Sequence, residues 1–260
     1  MVTRNTAWPE GTPCWVDLGV TDVPKAQAFY GALFGWDIPD GPPEAGGYSL
    51  ANIGGRPVAG IGPKGQDDAP SSWTTYLASD DADETAAKIK AGGGQVIVEP
   101  MDVMDVGRMM IAVDPGGAVF GVWQARAHTG AQVVNEPGSQ IWNENMSGHY
   151  EANKAFYGSV FGYHFGDIGA EGMNYATLDI DGRPVGGIGE IGAGRAAGTP
   201  ASWGTYFAVA DTDAAIAKVT ELGGSVIARA WDSPYGRMAV VADDQGAVFA
   251  VMSADGQQEG

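Results

Sequence analysis

The chain repeats itself, and nothing else in its 260 residues restricts the possible folds as much. Ala28-Phe29-Tyr30-Gly31 returns as Ala155-Phe156-Tyr157-Gly158, 127 residues later. Gly55-Arg56-Pro57-Val58-Ala59-Gly60-Ile61-Gly62 returns as Gly182-Arg183-Pro184-Val185-Gly186-Gly187-Ile188-Gly189 at the same spacing. Pro70-Ser71-Ser72-Trp73-Thr74-Thr75-Tyr76 answers to Pro200-Ala201-Ser202-Trp203-Gly204-Thr205-Tyr206, and Gly107-Arg108-Met109 to Gly236-Arg237-Met238. The spacing drifts by only three residues, so the copies differ by loop-sized insertions. A repeat of this period is a whole domain rather than a solenoid unit of roughly 20–50 residues. The expected organisation is a first domain over residues 1–126, a linker rich in Gly, Pro and polar residues over 127–139, and a second domain over 140–260.

Within each copy the side-chain periods give the elements. Val16, Leu18 and Val20 alternate with Trp15, Asp17 and Gly19, the pattern of a strand with two unlike faces. Thr21-Asp22-Val23-Pro24 opens a helix, Ala28, Phe29, Leu33 and Phe34 line one side of it, and Gly35 ends it. Strands over 48–53 and 56–61 meet at Gly54-Gly55. A strand over 73–78, a helix over 82–91 and three further strands follow, the last after an Asp114-Pro115-Gly116-Gly117 turn. Each copy thus holds two strand-helix-strand-strand-strand modules. The chain holds four, and the expected class is α+β, with helices on one face of curved mixed sheets.

Charge and cysteine content limit the partners. A formal net charge of −18 repels phosphate backbones and anionic bilayers, so nucleic acid and membrane are excluded as partners. The single cysteine, Cys14, permits no intramolecular disulfide, and no apolar run nears the ~20 residues of a membrane span. These features lead us to expect a cytoplasmic protein, either a monomer built as a pseudo-dimer or a homodimer, with a small-molecule partner.

The module order, Phe29-Tyr30 followed by Leu33-Phe34-Gly35-Trp36, and the late Asp-Pro-Gly-Gly turn resemble the vicinal oxygen chelate superfamily of glyoxalases, extradiol dioxygenases and bleomycin-resistance proteins. The Gly-Arg-Pro-Val and Ser-Trp strands are similar to those of two-domain glyoxalase-like proteins of the hydroxylase type, some of which accompany antibiotic biosynthesis. The resemblance covers roughly residues 11–254. It implies a cup-shaped sheet for each pair of modules, with a ligand inside. In metal-dependent members, the first and last strands of each module supply His, Gln or Glu to a divalent ion.

Such an ion needs several of these side chains converging on one point. The strands that would close the modules, over 56–62, 118–123, 183–189 and 247–252, contain no carboxylate and no histidine, with Gly121 and Ala250 where a final glutamate would fall. Only Asp17 and Glu144 remain on the opening strands, each sharing a face with the tryptophan two residues before it. His128 falls in the linker, His149 at a helix entrance and His164 after a helix, and all three read as solvated or capping. No metal and no cofactor are expected on this ground.

The ligand-binding candidates are Trp15, Asp17, Trp73, Tyr76, Arg108, Trp123, Trp142, Glu144, Trp203, Tyr206 and Arg237. Indole and phenol faces stack flat ligands, and Gly60, Gly121, Gly187 and Ala250 would leave room for one. Core packing is the alternative for Trp73 and Trp203. For Arg108 and Arg237 it is a surface loop contact. Asn143 and Asn145, standing where the first copy has Val16 and Leu18, suggest a distorted second cup. Three functions remain open. One is metal-independent binding of a hydrophobic or aromatic metabolite or antibiotic-like molecule, for sequestration, resistance or biosynthetic hand-over. Another is a glyoxalase-, hydroxylase- or dioxygenase-like enzyme, with an unconventional metal site or with Asp17 or Glu144 as general base. The third is a structural protein with filled cups.

Overall fold

The computed structural model describes residues 3–66, 68–169, 173–192 and 199–253, so the outermost residues of both expected domains lie outside it. The first half runs β1 (Pro13–Val20), α1 (Val23–Phe34), β2 (Ser49–Ile53), β3 (Arg56–Pro63), β4 (Ser72–Ala78), α2 (Ala82–Ala91), β5 (Gln95–Val103), β6 (Gly107–Val113) and β7 (Val119–Ala125). The second half runs β8 (Gln140–Ser147), α3 (Tyr150–Phe161), β9 (His164–Asp167), β10 (Tyr175–Ile180), β11 (Arg183–Glu190), β12 (Ser202–Ala208), α4 (Thr212–Glu221), β13 (Ser225–Ser233), β14 (Gly236–Ala242) and β15 (Val248–Ser253). The duplicated α+β architecture is as the repeat implies. One strand breaks the symmetry. The stretch answering to β9 forms only a single bridge, Asp37 to Asn52, in the first half.

Each half closes its own mixed sheet. The strand orders are β2-β3-β1-β4-β7-β6-β5 and β13-β14-β15-β12-β8-β11-β10-β9. The two modules of a half join through one antiparallel pair, β1 with β4 and β8 with β12, flanked by the parallel pairs β1 with β3 and β4 with β7. Module pairing is therefore within halves.

Strand alternation decides which side of each sheet is covered. Val16, Leu18 and Val20 are buried on the helical side, against Phe29 and Tyr30 of α1 and against Phe207, Phe249 and Val251 of the other half. Leu77, Phe120 and Val122 pack in the same way against Phe156 and Tyr157 of α3. The helical sides of the two sheets thus face each other, with α1 against α4 and α2 against α3. The opposite, concave faces are left for function. Local sequence sets the helix ends: Asp22 accepts from the Lys25 N–H at the start of α1, and Gly35 takes φ 71° at its end.

The repeated motifs largely serve this seam. Trp73 Nε1 donates to Tyr30 Oη, which donates to Asp243 across the interface, at 3.1 and 3.0 Å. Its counterpart runs from Trp203 Nε1 through Tyr157 Oη to Asp114 at 2.7 and 2.9 Å. Trp73 and Trp203 are therefore core residues, not cup residues, because their register partners Leu18 and Asn145 lie on the helical side. The asparagines do not distort the second half either. Asn143 Oδ1 accepts from Thr75 and Thr205 at 3.1 Å each, and Asn145 donates to Asp114 at 2.8 Å. Buried polar groups facing a seam are satisfied there by partners from the other half.

Candidate functional site

On each concave face one carboxylate is held by phenols. In the second half Tyr175 Oη and Tyr206 Oη each donate to Glu144 at 2.7 Å, one to each carboxylate oxygen. Trp142 Nε1 donates in turn to Tyr175 Oη at 2.9 Å. The first half repeats the arrangement: Trp15 Nε1 donates to Tyr48 Oη at 2.9 Å, and Tyr48 Oη reaches Asp17 at 3.5 Å. The Tyr76 and Thr74 hydroxyls also bond to the Asp17 carboxyl. Register explains the grouping, since Tyr76 lies beside Trp15 and Thr74 beside Asp17 across the antiparallel pair.

The electrostatics fix who donates. Burial, and after it the Asp17 charge, pushes the Tyr48 and Tyr76 phenols well above their ordinary range. Burial and Glu144 do the same to Tyr175. All three phenols stay protonated and act as donors. Burial also pushes the Asp17 carboxyl up to about 7, against the lowering effect of its three hydroxyl partners. An acid with that value exchanges protons near neutral pH.

Tyr48 and Tyr175 were missed by strand reading, although Tyr48 recurs as Tyr175 at the repeat spacing and that signal was available. Their rings also explain the glycines. A Cβ on Gly60 would strike Tyr48 Oη, one on Gly187 would strike Tyr175 Oη, and one on Gly121 would strike the Tyr76 ring. The small residues make way for the chain's own tyrosines, and the expected open room at Gly60, Gly121 and Gly187 is corrected accordingly.

From this polar head a registered row of residues crosses each concave face. In the second cup it runs Tyr206, Ala250, Val240, Ala228, with Met252, Met238 and Trp231 in the next row. In the first cup it runs Tyr76, Gly121, Ile111, Val98, with Trp123, Met109 and Met101 beside it. Trp231 is 39% exposed. A bulge between Ala228 and Trp231 puts three residues where alternation allows two, so no period-of-two reading aims this indole at the cup.

The remaining sequence candidates separate. Trp123 does line the first cup, with Nε1 donating to the His128 carbonyl at 2.8 Å. Arg108 binds Asp83 and Asp102 at 2.9 and 3.1 Å, and Arg237 binds Asp213 and Asp232 at 3.0 and 2.8 Å. Both arginines therefore hold surface carboxylates, not Asp17 or Glu144. His128 is not solvated as its linker position suggested. Its ring stands edge-on to Trp15 at 4.4 Å and against Trp123 at 5.3 Å, and burial lowers its pKa to about 4. A hollow of about 100 Å³ beside it, lined by Trp8, Cys14, Ala78, Trp123 and Thr129, is below the ~300 Å³ of a small-molecule site.

Residues 14–122 and 145–251 each match the family model described as Glyoxalase/Bleomycin resistance protein/Dioxygenase superfamily. The chain belongs to this superfamily. CFP32 of Mycobacterium tuberculosis, whose name carries the word glyoxylase, is 42% identical over 98% of this chain and 99% of its own. The anthracycline biosynthesis protein DnrV of Streptomyces peucetius is 38% identical over 95% of this chain and 94% of its own. Among solved structures, the Mn(II)-bound glyoxalase of Novosphingobium aromaticivorans overlays with a TM-score of 0.67 at 15% identity, covering 94% of this chain and 83% of its own.

That last neighbour corrects the expectation that no cofactor is involved. A fold that houses Mn(II) is a metal-holding fold, and a count of donors in one sequence does not remove a cofactor from it. The donor set found here nevertheless does not fit a divalent ion held by three or four side chains. Among the described residues no three or more His, Cys, Asp or Glu are grouped so as to hold a metal ion. Each cup carboxylate is instead surrounded by protonated phenols, and the facing strand positions are glycines covered by tyrosine rings. No described helix is long and apolar enough to cross a membrane.

Proposed function

We propose that the protein binds a flat, hydroxylated aromatic small molecule on a concave sheet face, with the carboxylate–phenol cluster as its polar end. The observation that carries this reading is the second cup. There Glu144, fixed by Tyr175 and Tyr206, sits at the head of an aromatic and thioether face formed by Trp142, Met238, Met252 and Trp231. A ring stacks on indole and methionine surfaces, and a ligand hydroxyl donates to the carboxylate in a charge-assisted bond. The relatedness to a protein named for anthracycline biosynthesis supports a polycyclic aromatic ligand and a role in handing one on.

One observation favours a second reading, that of an enzyme. Asp17, at about 7, is poised to take a proton from a phenol or an acidic C–H and to return it. The test is quenching of tryptophan emission by 1,4-dihydroxyanthraquinone, with anthracene as the hydroxyl-free control. Saturable quenching by the first at micromolar concentration, weakened about tenfold by Glu144→Gln, is the expected result, since one charge-assisted bond is worth about that much. Equal quenching by both compounds, or none by either, defeats the binding reading. Release of a chemically altered probe in proportion to time establishes the enzyme.

A further inference from the structure

We propose that the first cup is closed by a strap of the chain itself, with His128 standing where a ligand ring would stand, so that one aromatic ligand binds per chain, in the second cup. The inference rests on the functional reading above and assigns it to one of two candidate faces.

The strap runs from Arg126 to Ala131 and is pinned on both sides of the imidazole. The Arg126 and His128 N–H groups donate to the Val106 carbonyl at 3.1 and 2.9 Å, and Ala131 N–H donates to the Cys14 carbonyl at 2.8 Å. Trp123 Nε1 holds the His128 carbonyl from the cup side. Gly130 takes φ 92°, and a Cβ there would strike the Cys14 carbonyl, so the return of the strap to β1 requires glycine. Two indoles, Trp15 and Trp123, receive the imidazole edge to face, as they would receive any small ring.

The His128 Nε2 is buried and bonds to no described group. Burial keeps the ring neutral, so it fills the cup as an uncharged heteroaromatic. With it in place Trp15, Tyr76 and Trp123 are only 2%, 5% and 7% exposed.

The second cup lacks this filling among the described residues. Trp142 and Tyr206 are half-buried where Trp15 and Tyr76 are enclosed, while Glu144 and Tyr175 are buried to the same degree as Asp17 and Tyr48, and Trp231 presents an exposed indole where the first cup presents the exposed thioether of Met101. The position answering to His128 is Gln257, outside the described residues. Ala250 also replaces Gly121, so its methyl occupies the floor that the Tyr76 ring covers in the first cup.

Equilibrium dialysis of the full chain against 1,4-dihydroxyanthraquinone tests the assignment. The unaltered protein should take up one molecule per chain. Trp231→Ala should weaken uptake about tenfold through the lost stacking surface, and with catechol, one ring in place of three, His128→Ala should raise the count from one to two, because the backbone bonds of the strap leave free only the space of the imidazole. Two molecules of either compound per unaltered chain, indifference to Trp231→Ala, or one catechol still in His128→Ala overturns the proposal while leaving aromatic binding intact. If His128→Ala fails to fold, His128→Asn makes the same test with a planar polar group too short to reach both indoles. No uptake at all overturns both this inference and the function it rests on.

Discussion

Trp15 and Trp142 head the two cups at equivalent positions, and both pass a hydrogen bond through a tyrosine to a carboxylate. They differ in their surroundings. Trp15 is 2% exposed under His128, while Trp142 is half-buried on an open face. The carboxylates differ in the same sense: Asp17 is one methylene shorter than Glu144 and is crowded by Tyr48, Tyr76 and Thr74. The duplication has kept the bonded head and altered the packing around it. Chemistry shared by the two halves therefore marks what a cup of this kind needs, and packing that differs marks which cup can open.

The largest expected consequence is the pH dependence that Asp17 adds in the first cup. Asp17 titrates near 7 when folded and near 3.8 when unfolded, so between those values the folded chain holds the extra proton. Its contribution is fully present below pH 3.8, declines as pH rises, and is gone above 7. Three pKa units correspond to about 4 kcal/mol at most, less to the extent that water reaches the cup. Asp114, Asp243 and His128 titrate alike in both chains, so from pH 4.5 to 8 the denaturant midpoint of the unaltered chain should decline relative to that of Asp17→Asn. Identical slopes would show that Asp17 is better solvated than its neighbours imply, and the contrast between the cups would shrink.

A smaller effect separates the glycines under the tyrosines. A methyl at Gly60 collides with Tyr48 Oη, and one at Gly187 with Tyr175 Oη. Tyr48 is hemmed in by Gly62 and Tyr175 likewise by Gly189, where a Cβ would meet either ring, but the indole partner of Tyr48, Trp15, is enclosed, while that of Tyr175, Trp142, is half-buried. Overpacking of a closed site costs about 1–3 kcal/mol. Gly60→Ala should fall in that range, while Gly187→Ala should stay under about 1 kcal/mol because Tyr175 swings outward. Urea unfolding of the two variants measures the difference, and equal losses would mean that the second cup is as rigid as the first.

Much of this was legible in the chain. The duplication, the α+β class and the pairing of a tryptophan with a carboxylate on one strand face follow from spacing and alternation, since strand period and repeat period are local properties. Trp73 and Trp203 could not be assigned that way. Their facing is set by antiparallel register with β1 and β8, and register is a tertiary property. Trp231 was hidden by a bulge, and His128 by lying in a segment with no period at all. Asp114 opens the turn that the sequence shows, but its carboxylate also bonds Tyr157 of the opposite half, as Asp243 bonds Tyr30, contacts no single module contains.

The smallest effect is the one that best separates geometry from burial. Tyr48→Phe removes the acceptor for Trp15 Nε1 at 2.9 Å and a long bond to Asp17 at 3.5 Å. Tyr175→Phe removes the equivalent indole bond at 2.9 Å and a short bond to Glu144 at 2.7 Å. Bond lengths alone make the second substitution the costlier. Burial reverses the order, because the Trp15 indole is enclosed and its N–H would be left without a partner, at about 1–2 kcal/mol. Water replaces the lost bonds at half-buried Trp142 and Glu144, and the cost there should stay near 0.5 kcal/mol, the low end for one net hydrogen bond. Thermal and denaturant midpoints of the two phenylalanine variants at pH 5.5, where Asp17 holds its proton, give the ranking directly. A greater loss from Tyr175→Phe would mean that the Glu144 cluster is shielded from water, and the second cup would then be the closed one.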